Sequence, residues 1–246
     1  MAGHSAWKNI KHRKAAVDAK RGKIWSKCSR AIIVAAQRGG GDIKFNASLR
    51  IAIDEAKAAN MPRDTIEKAV KKGTGEGGSE RYDSVRYEAF GPGGTAILID
   101  LLIANANKTA AELRTVIDKN GGKFGVPGSV AFGFTQQGII VIPASSATEE
   151  AVMDVALAHS ADDVIADEDY VQVTCKPADF ETVRGALEAA KFTIENAEIA
   201  YIPQTTVSLD VDSARRLLSL IDAIEDHDDV QKVFHNAEIP DEALPE

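Results

Sequence analysis

Thirteen side chains near the start of the chain have the types and spacing to engage a polyanion. They are His4, Trp7, Lys8, Lys11, His12, Arg13, Lys14, Lys20, Arg21, Lys23, Lys27, Arg30 and Arg38. Lys and Arg neutralise phosphates and release their condensed counterions, while Arg and Trp stack on unpaired bases. Residues 1–38 hold ten Lys+Arg and one acidic residue, Asp18. Lys71, Lys72 and Lys108 are weaker additions to such a surface. The competing reading is a solvated helix face with the two tryptophans as core anchors. Trp25 adjoins the apolar stripe of Ile24 and Cys28 and is expected in a core. Trp7 has only Ile10 as a large apolar neighbour, so stacker and anchor both stay open.

Other chemistries fail on their spacing. Gly73-Thr74-Gly75-Glu76-Gly77-Gly78 matches a dinucleotide fingerprint by letter, but a helix precedes it and a polar segment follows, where the fold needs a strand and then a helix. Gly91-Pro92-Gly93-Gly94 lies between two strands as a turn would, and neither stretch carries a Walker lysine. His4, His12, His159, His227 and His235 show no metal-ligand spacing with each other or with Cys28 and Cys175. The acidic stretches at 162–169 and 225–229 lack the glycine and terminal glutamate of a calcium loop. Cys28 and Cys175 read as small core residues, and no serine sits in a nucleophile elbow. The expectation is a non-enzyme with no metal and no cofactor.

The elements that must position the basic residues follow from periodicity. Ile24, Cys28, Ala31, Ile32 and Ala35 repeat at helical spacing, and Gly39-Gly40-Gly41 stops that helix. A second helix covers about 46–60 and a third starts near Pro62 and ends at Gly73. The stretch 73–79 has linker composition. Strands follow at 85–90 and 96–103, a helix at 109–120, and strands at 129–135 and 139–142 flanking Gln136-Gln137-Gly138. Residues 139–203 read β-α-β-β-α-β, a ferredoxin-like pattern. The tail adds an extended piece at 205–209, a helix at 212–225 and a strand at 230–235, which need the 84–135 set to make a core. The expected fold is therefore α+β: a helical N-terminal domain followed by two α/β domains of ferredoxin-like βαββαβ type, the third inserted in the second. The expected boundaries are 1–80 for the helical basic domain, 81–137 with 205–238 for the discontinuous domain, and 138–204 for the insert.

Composition sharpens the partner question. The 246 residues carry a net charge of −8, which taken whole argues against nucleic acid. Split by position, residues 1–80 hold +9, residues 81–143 hold +1 and residues 144–246 hold −18. A basic arm on an acidic body points to a polyanionic partner. Two cysteines far apart suit a reducing compartment. No apolar run approaches a membrane span and no secretory core opens the chain, so the expected location is cytoplasmic, with no membrane partner.

Met1-Ala2-Gly3-His4-Ser5-Ala6-Trp7, Lys11-His12-Arg13-Lys14, Asp18-Ala19-Lys20-Arg21-Gly22-Lys23 and Gly39-Gly40-Gly41-Asp42 closely resemble the opening of the YebC family. The likeness continues through Asn60-Met61-Pro62, Tyr87-Glu88, Gly91 to Ala96, Gly128 to Phe132, Asp228 to Gln231 and His235-Asn236, essentially the whole chain. The family is related to a mitochondrial translational activator of cytochrome c oxidase I. The resemblance implies three domains, one α/β domain inserted in the other. It also implies a translation factor acting on the ribosome, including relief of stalling at consecutive prolines. The basic arm, residues 1–38, would then contact ribosomal RNA or tRNA, and the acidic domains would face ribosomal proteins or solvent. Two other functions remain beside it: a DNA-binding transcriptional regulator, which is the family's older label, and an acidic protein–protein adaptor. The sequence departs from the family at Ala6, Ile43 and Ala106, where a lysine, a proline and a basic residue are common.

Overall fold

The computed structural model describes residues 21–76 and 81–244. The first elements are three helices: α1 (Arg21–Gly39), α2 (Ala47–Ala58) and α3 (Arg63–Gly73). Each is amphipathic, and their buried stripes form one core. Ile32, Ile33 and Ala36 come from α1, Leu49, Ala52 and Ala56 from α2, and Ile66 and Ala69 from α3. Met61 in the α2–α3 turn joins that core, with Trp25, Cys28, Val70 and Tyr82 at its edge. Asn46 caps α2 by accepting the Leu49 N–H at 3.0 Å. Pro62, with φ −59°, stands just before α3, where it lacks only an N–H that would have no partner.

The chain then makes β1 (Asp83–Phe90) and β2 (Ala96–Ile103), an antiparallel hairpin, followed by α4 (Ala106–Lys119) and the two-residue β3 (Lys123–Phe124). Next come β4 (Phe134–Pro143), α5 (Glu149–Ala158), β5 (Ala161–Ala166), β6 (Tyr170–Cys175), α6 (Phe180–Ala189) and β7 (Asn196–Pro203). The tail adds β8 (Val207–Ser208), α7 (Val211–Glu225), β9 (Val230–His235) and β10 (Ala237–Glu238). One sheet has the order β3-β1-β2-β9 and another β5-β6-β4-β7; β8 and β10 form a parallel pair. The second sheet places its strands, numbered from β4, in the 4-1-3-2 order of a ferredoxin-like unit. The first sheet uses the same complement of four strands and two helices in the chain order ββαβ, then αβ. Its last helix and strand arrive only after the second sheet is complete.

The described residues fall into two compact units, one with residues 21–76, 81–130, 209–235 and 239–244, the other with 131–208 and 236–238. In the first unit α4 and α7 pack together. Ile97 and Leu217 meet beside Gly91, and Ile117 and Leu220 meet beside Gly122. In the second, Val152 and Ala156 of α5 and Phe180, Val183 and Leu187 of α6 are fully or almost fully buried.

The strands expected at 129–135 and 139–142 differ from the structure in an instructive way. The ladder begins at Phe134 and runs unbroken to Pro143 through Gln136-Gln137-Gly138. Gly138 is not a turn residue: a Cβ there would sit 2.7 Å from Phe180 Cδ2 and 2.8 Å from Cys175 Sγ, so the glycine admits α6 against the strand. Upstream, the N–H groups of Gly128 and Val130 both donate to the Glu88 carboxylate at 2.6 Å, which holds this segment as a loop rather than a strand.

Candidate nucleic-acid interface

Of the thirteen residues singled out by sequence, His4, Trp7, Lys8, Lys11, His12, Arg13, Lys14 and Lys20 lie outside the described residues. Arg21 opens α1. Lys23, Lys27 and Arg30 follow at i, i+4 and i+7, so they share one face of α1. That face meets the end of α7. Lys23 donates to the Asp226 carbonyl at 3.0 Å and pairs with its carboxylate at 2.8 Å. Lys27 donates to the Glu225 carbonyl at 2.6 Å. Arg30 donates to the Asp228 carbonyl at 2.6 Å and to Asp229 Oδ1 at 2.5 Å, and its guanidinium lies 5.3 Å from the centre of the Tyr82 ring.

The physical reason is the C-terminus of a helix. Its last carbonyls have no partners within the helix and carry the negative end of the dipole. Here they are followed by Asp226, Asp228 and Asp229, and three cations from α1 satisfy the group. Burial lowers the pKa of Lys27, against the opposing pull of Glu225, Asp226 and Asp228. Asp229 fastens a third element, accepting from Thr109 Oγ1 of α4 at 2.5 Å, while its carbonyl accepts the Leu102 N–H at 2.9 Å. A second polar brace runs across the first sheet. Asp100 stands opposite both Arg86 and Lys232 in register; Arg86 pairs with it at 2.6 Å, and Lys232 reaches Glu55 of α2 at 2.9 Å.

Arg38 differs from the other three. It is exposed in the last turn of α1 and lines a cleft of about 410 Å³ with Val34, Asn46, Ile51 and Leu102. Beyond it, the loop from Gly40 to Asn46 turns the chain into α2. Gly40 has φ +80°, a conformation glycine adopts without strain. Asn46 is buried and locks the loop: its Nδ2 donates to the Ala35 and Gly40 carbonyls, each at 2.8 Å. Lys44 N–H donates to Asp42 Oδ1 at 2.9 Å, Phe45 N–H to the Asp42 carbonyl at 3.1 Å, and Arg50 Nη1 to the Ile43 carbonyl at 3.0 Å. The loop presents Ile43 and Phe45 to solvent, at 49% and 87% exposure. Periodicity stops the helix at Gly39-Gly40-Gly41 and gives these two residues no role. The signal it passes over is a pair of large apolar side chains flanking a lysine in a glycine-led loop.

Lys71 is exposed near the end of α3, Lys72 is half-buried, and Lys108 is 3.9 Å from Glu112. Trp25 is a structural anchor, its Nε1 donating to the Ala59 carbonyl at 3.0 Å. Cys28 and Cys175 are unpaired, and burial pushes each thiol up to about 11. Among the described residues no group of three His, Cys, Asp or Glu is placed to hold a metal, and no helix is long and apolar enough to cross a membrane.

Comparison with known proteins covers nearly the whole chain. Residues 5–76 match the model of the TACO1/YebC protein N-terminal domain, and residues 82–237 match that of the TACO1/YebC second and third domain. A relative from Pelotomaculum thermopropionicum, named "Probable transcriptional regulatory protein", is 49% identical over 243 residues, spanning 98% of this chain and 100% of the relative. One of the same name from Shewanella oneidensis is 48% identical over 245 residues, spanning 99% and 98%. The crystal structure of a conserved hypothetical protein from Aquifex aeolicus is similar at a TM-score of 0.82 and 41% identity, covering 94% of this chain and 95% of that one.

Proposed function

The chain belongs to the TACO1/YebC family, and from that premise we propose that it is a non-enzymatic regulatory factor that binds RNA, a translation factor docking on ribosomal RNA or tRNA at ribosomes stalled on proline-rich sequence. The observation that carries the reading is the charge division: ten cations against one acid in residues 1–38, and a net −18 in residues 144–246. A polyanion attracts the first end and repels the second, so the molecule has a preferred orientation on RNA. In this reading the acidic part faces solvent or basic ribosomal proteins, and the protein works in the cytoplasm.

Within the arm, this reading divides the labour. Lys23, Lys27 and Arg30 already hold the end of α7, so phosphate binding falls to Arg38 and the cations before residue 22. The test is co-sedimentation with ribosomes. The protein is expected in ribosomal fractions, enriched when translation stalls on consecutive prolines; a protein that stays at the top of the gradient under stalling is not acting this way.

The second reading is a DNA-binding transcriptional regulator, favoured by the names that the relatives carry. Its nearest structural candidate is α2-turn-α3 around Asn60-Met61-Pro62. The start of α3 mixes Arg63 and Lys68 with Asp64 and Glu67, and Arg63 is bonded to Glu67 at 2.8 Å, a poor start for a helix entering the major groove. Footprinting separates the two: a sequence-specific footprint at moderate salt establishes the DNA reading, while retention that is salt-sensitive and sequence-blind favours a backbone binder.

A further inference from the structure

We propose that the loop between α1 and α2 is a stacking platform for an unpaired base of single-stranded RNA, with the Phe45 ring as the platform and Arg38 and Lys44 as the cations for the flanking phosphates. The inference rests on the RNA-binding reading above and names a site within it that lies outside the basic arm's first residues.

Three observations support it. The first is display. The Phe45 ring is 87% exposed and Ile43 two residues earlier is 49% exposed, whereas Ile32 of α1 and Leu49 of α2 are fully buried. The second is rigidity. A slack loop would fold its phenyl ring down onto the protein; this one is pinned on both sides of the ring. Asn46 makes three hydrogen bonds of 2.8 to 3.0 Å, Asp42 accepts from Lys44 and Phe45, and Arg50 braces the Ile43 carbonyl. A Cβ at Gly39 would lie 2.6 Å from Asn46 Nδ2, so the chain leaves room for that lock. The backbone that carries the ring is therefore fixed before any partner arrives, and binding has little more of the loop to order.

The third is chemical setting. A base offers a flat π face with a phosphate on either side, and an aromatic ring beside cations matches that pattern independently of base identity. Arg38 stands at the foot of the loop, in the cleft that Asn46 also lines, and Lys44 immediately precedes the ring. Asp42 is the loop's one acidic side chain and is turned back to the Lys44 N–H. A duplex keeps its bases stacked on each other, so the ligand is a single strand.

The test uses the full chain and an oligoribonucleotide of roughly twelve nucleotides, a length one such groove accommodates. Binding is compared for wild type, Phe45→Ala, Phe45→Leu and Phe45→Trp, with the same sequence as a duplex for control. The expectation is a roughly tenfold loss for Ala and for Leu, full binding for Trp with quenching of the new indole, and little effect on the duplex. The slope of affinity against salt stays as in wild type, because every phosphate keeps its cation. Melting curves check the fold; if the Ala variant fails to fold, the Leu and Trp variants carry the comparison. Wild-type binding that Phe45→Ala leaves intact overturns this inference alone. Full rescue by Leu overturns it too, since leucine offers apolar area without a π face. A loss of ribosome co-sedimentation in Phe45→Ala with oligoribonucleotide binding unchanged makes the loop a protein-docking element and overturns the stacking role. A wild type that binds no RNA sinks the functional reading and this inference together.

Discussion

Asn46 caps α2 with its oxygen and ties α1 to the following loop with its nitrogen, so one buried amide fixes where two helices meet. Asn46→Ala removes the cap and leaves the Ala35 and Gly40 carbonyls without that donor, and is expected to lower stability by about 2 kcal/mol, read as a shift in urea midpoint. Asn46→Asp keeps the acceptor but not the donor, and falls between. The two thiols, Cys175 buried and Cys28 half-buried, give a pH signature. Folded, Cys28 and Cys175 keep their protons to about 11, against an ordinary 9.0. Between those values the unfolded chain releases protons that the native one retains, so this contribution is complete below pH 9 and is lost as pH rises through 11. The Cys28→Ala, Cys175→Ala double variant should lose a smaller part of its stability between pH 8.5 and 11 than wild type does, in paired denaturation series; equal losses would refute the assignment. At this scale the sequence is legible where a residue sits on a stripe: Trp25 and Cys28 adjoin Ile24 and pack against the helical core. It is silent on Phe45, because exposure depends on how a loop is tied, and the ties to Ala35 and Gly40 come from a side chain whose cap signal says nothing about them.

The junction of α1 with α7 is a helix C-terminus held by another helix's cations. Arg30→Ala removes donors to the Asp228 carbonyl and the Asp229 carboxylate, and an expected cost of about 2 kcal/mol follows for hydrogen bonds to a charged group. Amide exchange should quicken at 225–229 and in the first half of α1, with the second sheet unaffected. Lys27→Met tests the same junction by keeping the aliphatic stem and removing the charge: it relieves the burial cost of the ammonium but leaves the Glu225 carbonyl without its donor, so a smaller loss than in Lys27→Ala is expected. Elements with strong periodicity are readable in the sequence, including the three described helices of the N-terminal region and the β-α-β-β-α-β order read over 139–203. Gly138 defeats the same method. Glycine beside two glutamines carries a turn signal, and only the approach of Phe180 reveals that it is a space requirement. Glu88 is the counterpart: its buried carboxylate accepts from Gly128 and Val130 and holds as a loop the start of a stretch, 129–135, that carries a strand pattern.

For the whole molecule, the division of charge is the property that matters, and the α1 geometry makes it quantitative. Replacing Lys11, Arg13 and Lys14 with Ala should flatten the salt dependence of RNA binding by roughly one unit of slope for each phosphate no longer neutralised. Replacing Lys23 and Lys27 should leave the slope where it is, because those charges already serve the end of α7. A filter-binding series across salt concentrations reads both; a lower slope in the second variant would mean that RNA displaces the internal partners. Sequence alone separates the basic and acidic ends but reads all ten early cations as one set, since an acidic turn two hundred residues away leaves no local mark. The interrupted first sheet has a further consequence, for synthesis. On a ribosome, β1, β2 and α4 emerge early, yet the strand that flanks β2 is β9, so this sheet waits for residue 235 while the ferredoxin-like unit can close once residue 203 is out. The wait adds little entropy: Phe134 pairs with Pro203, so the finished insert leaves and rejoins the chain at neighbouring strand ends and acts as a short loop. The later-made unit is thus able to fold first, and by folding it brings the two halves of the earlier one together.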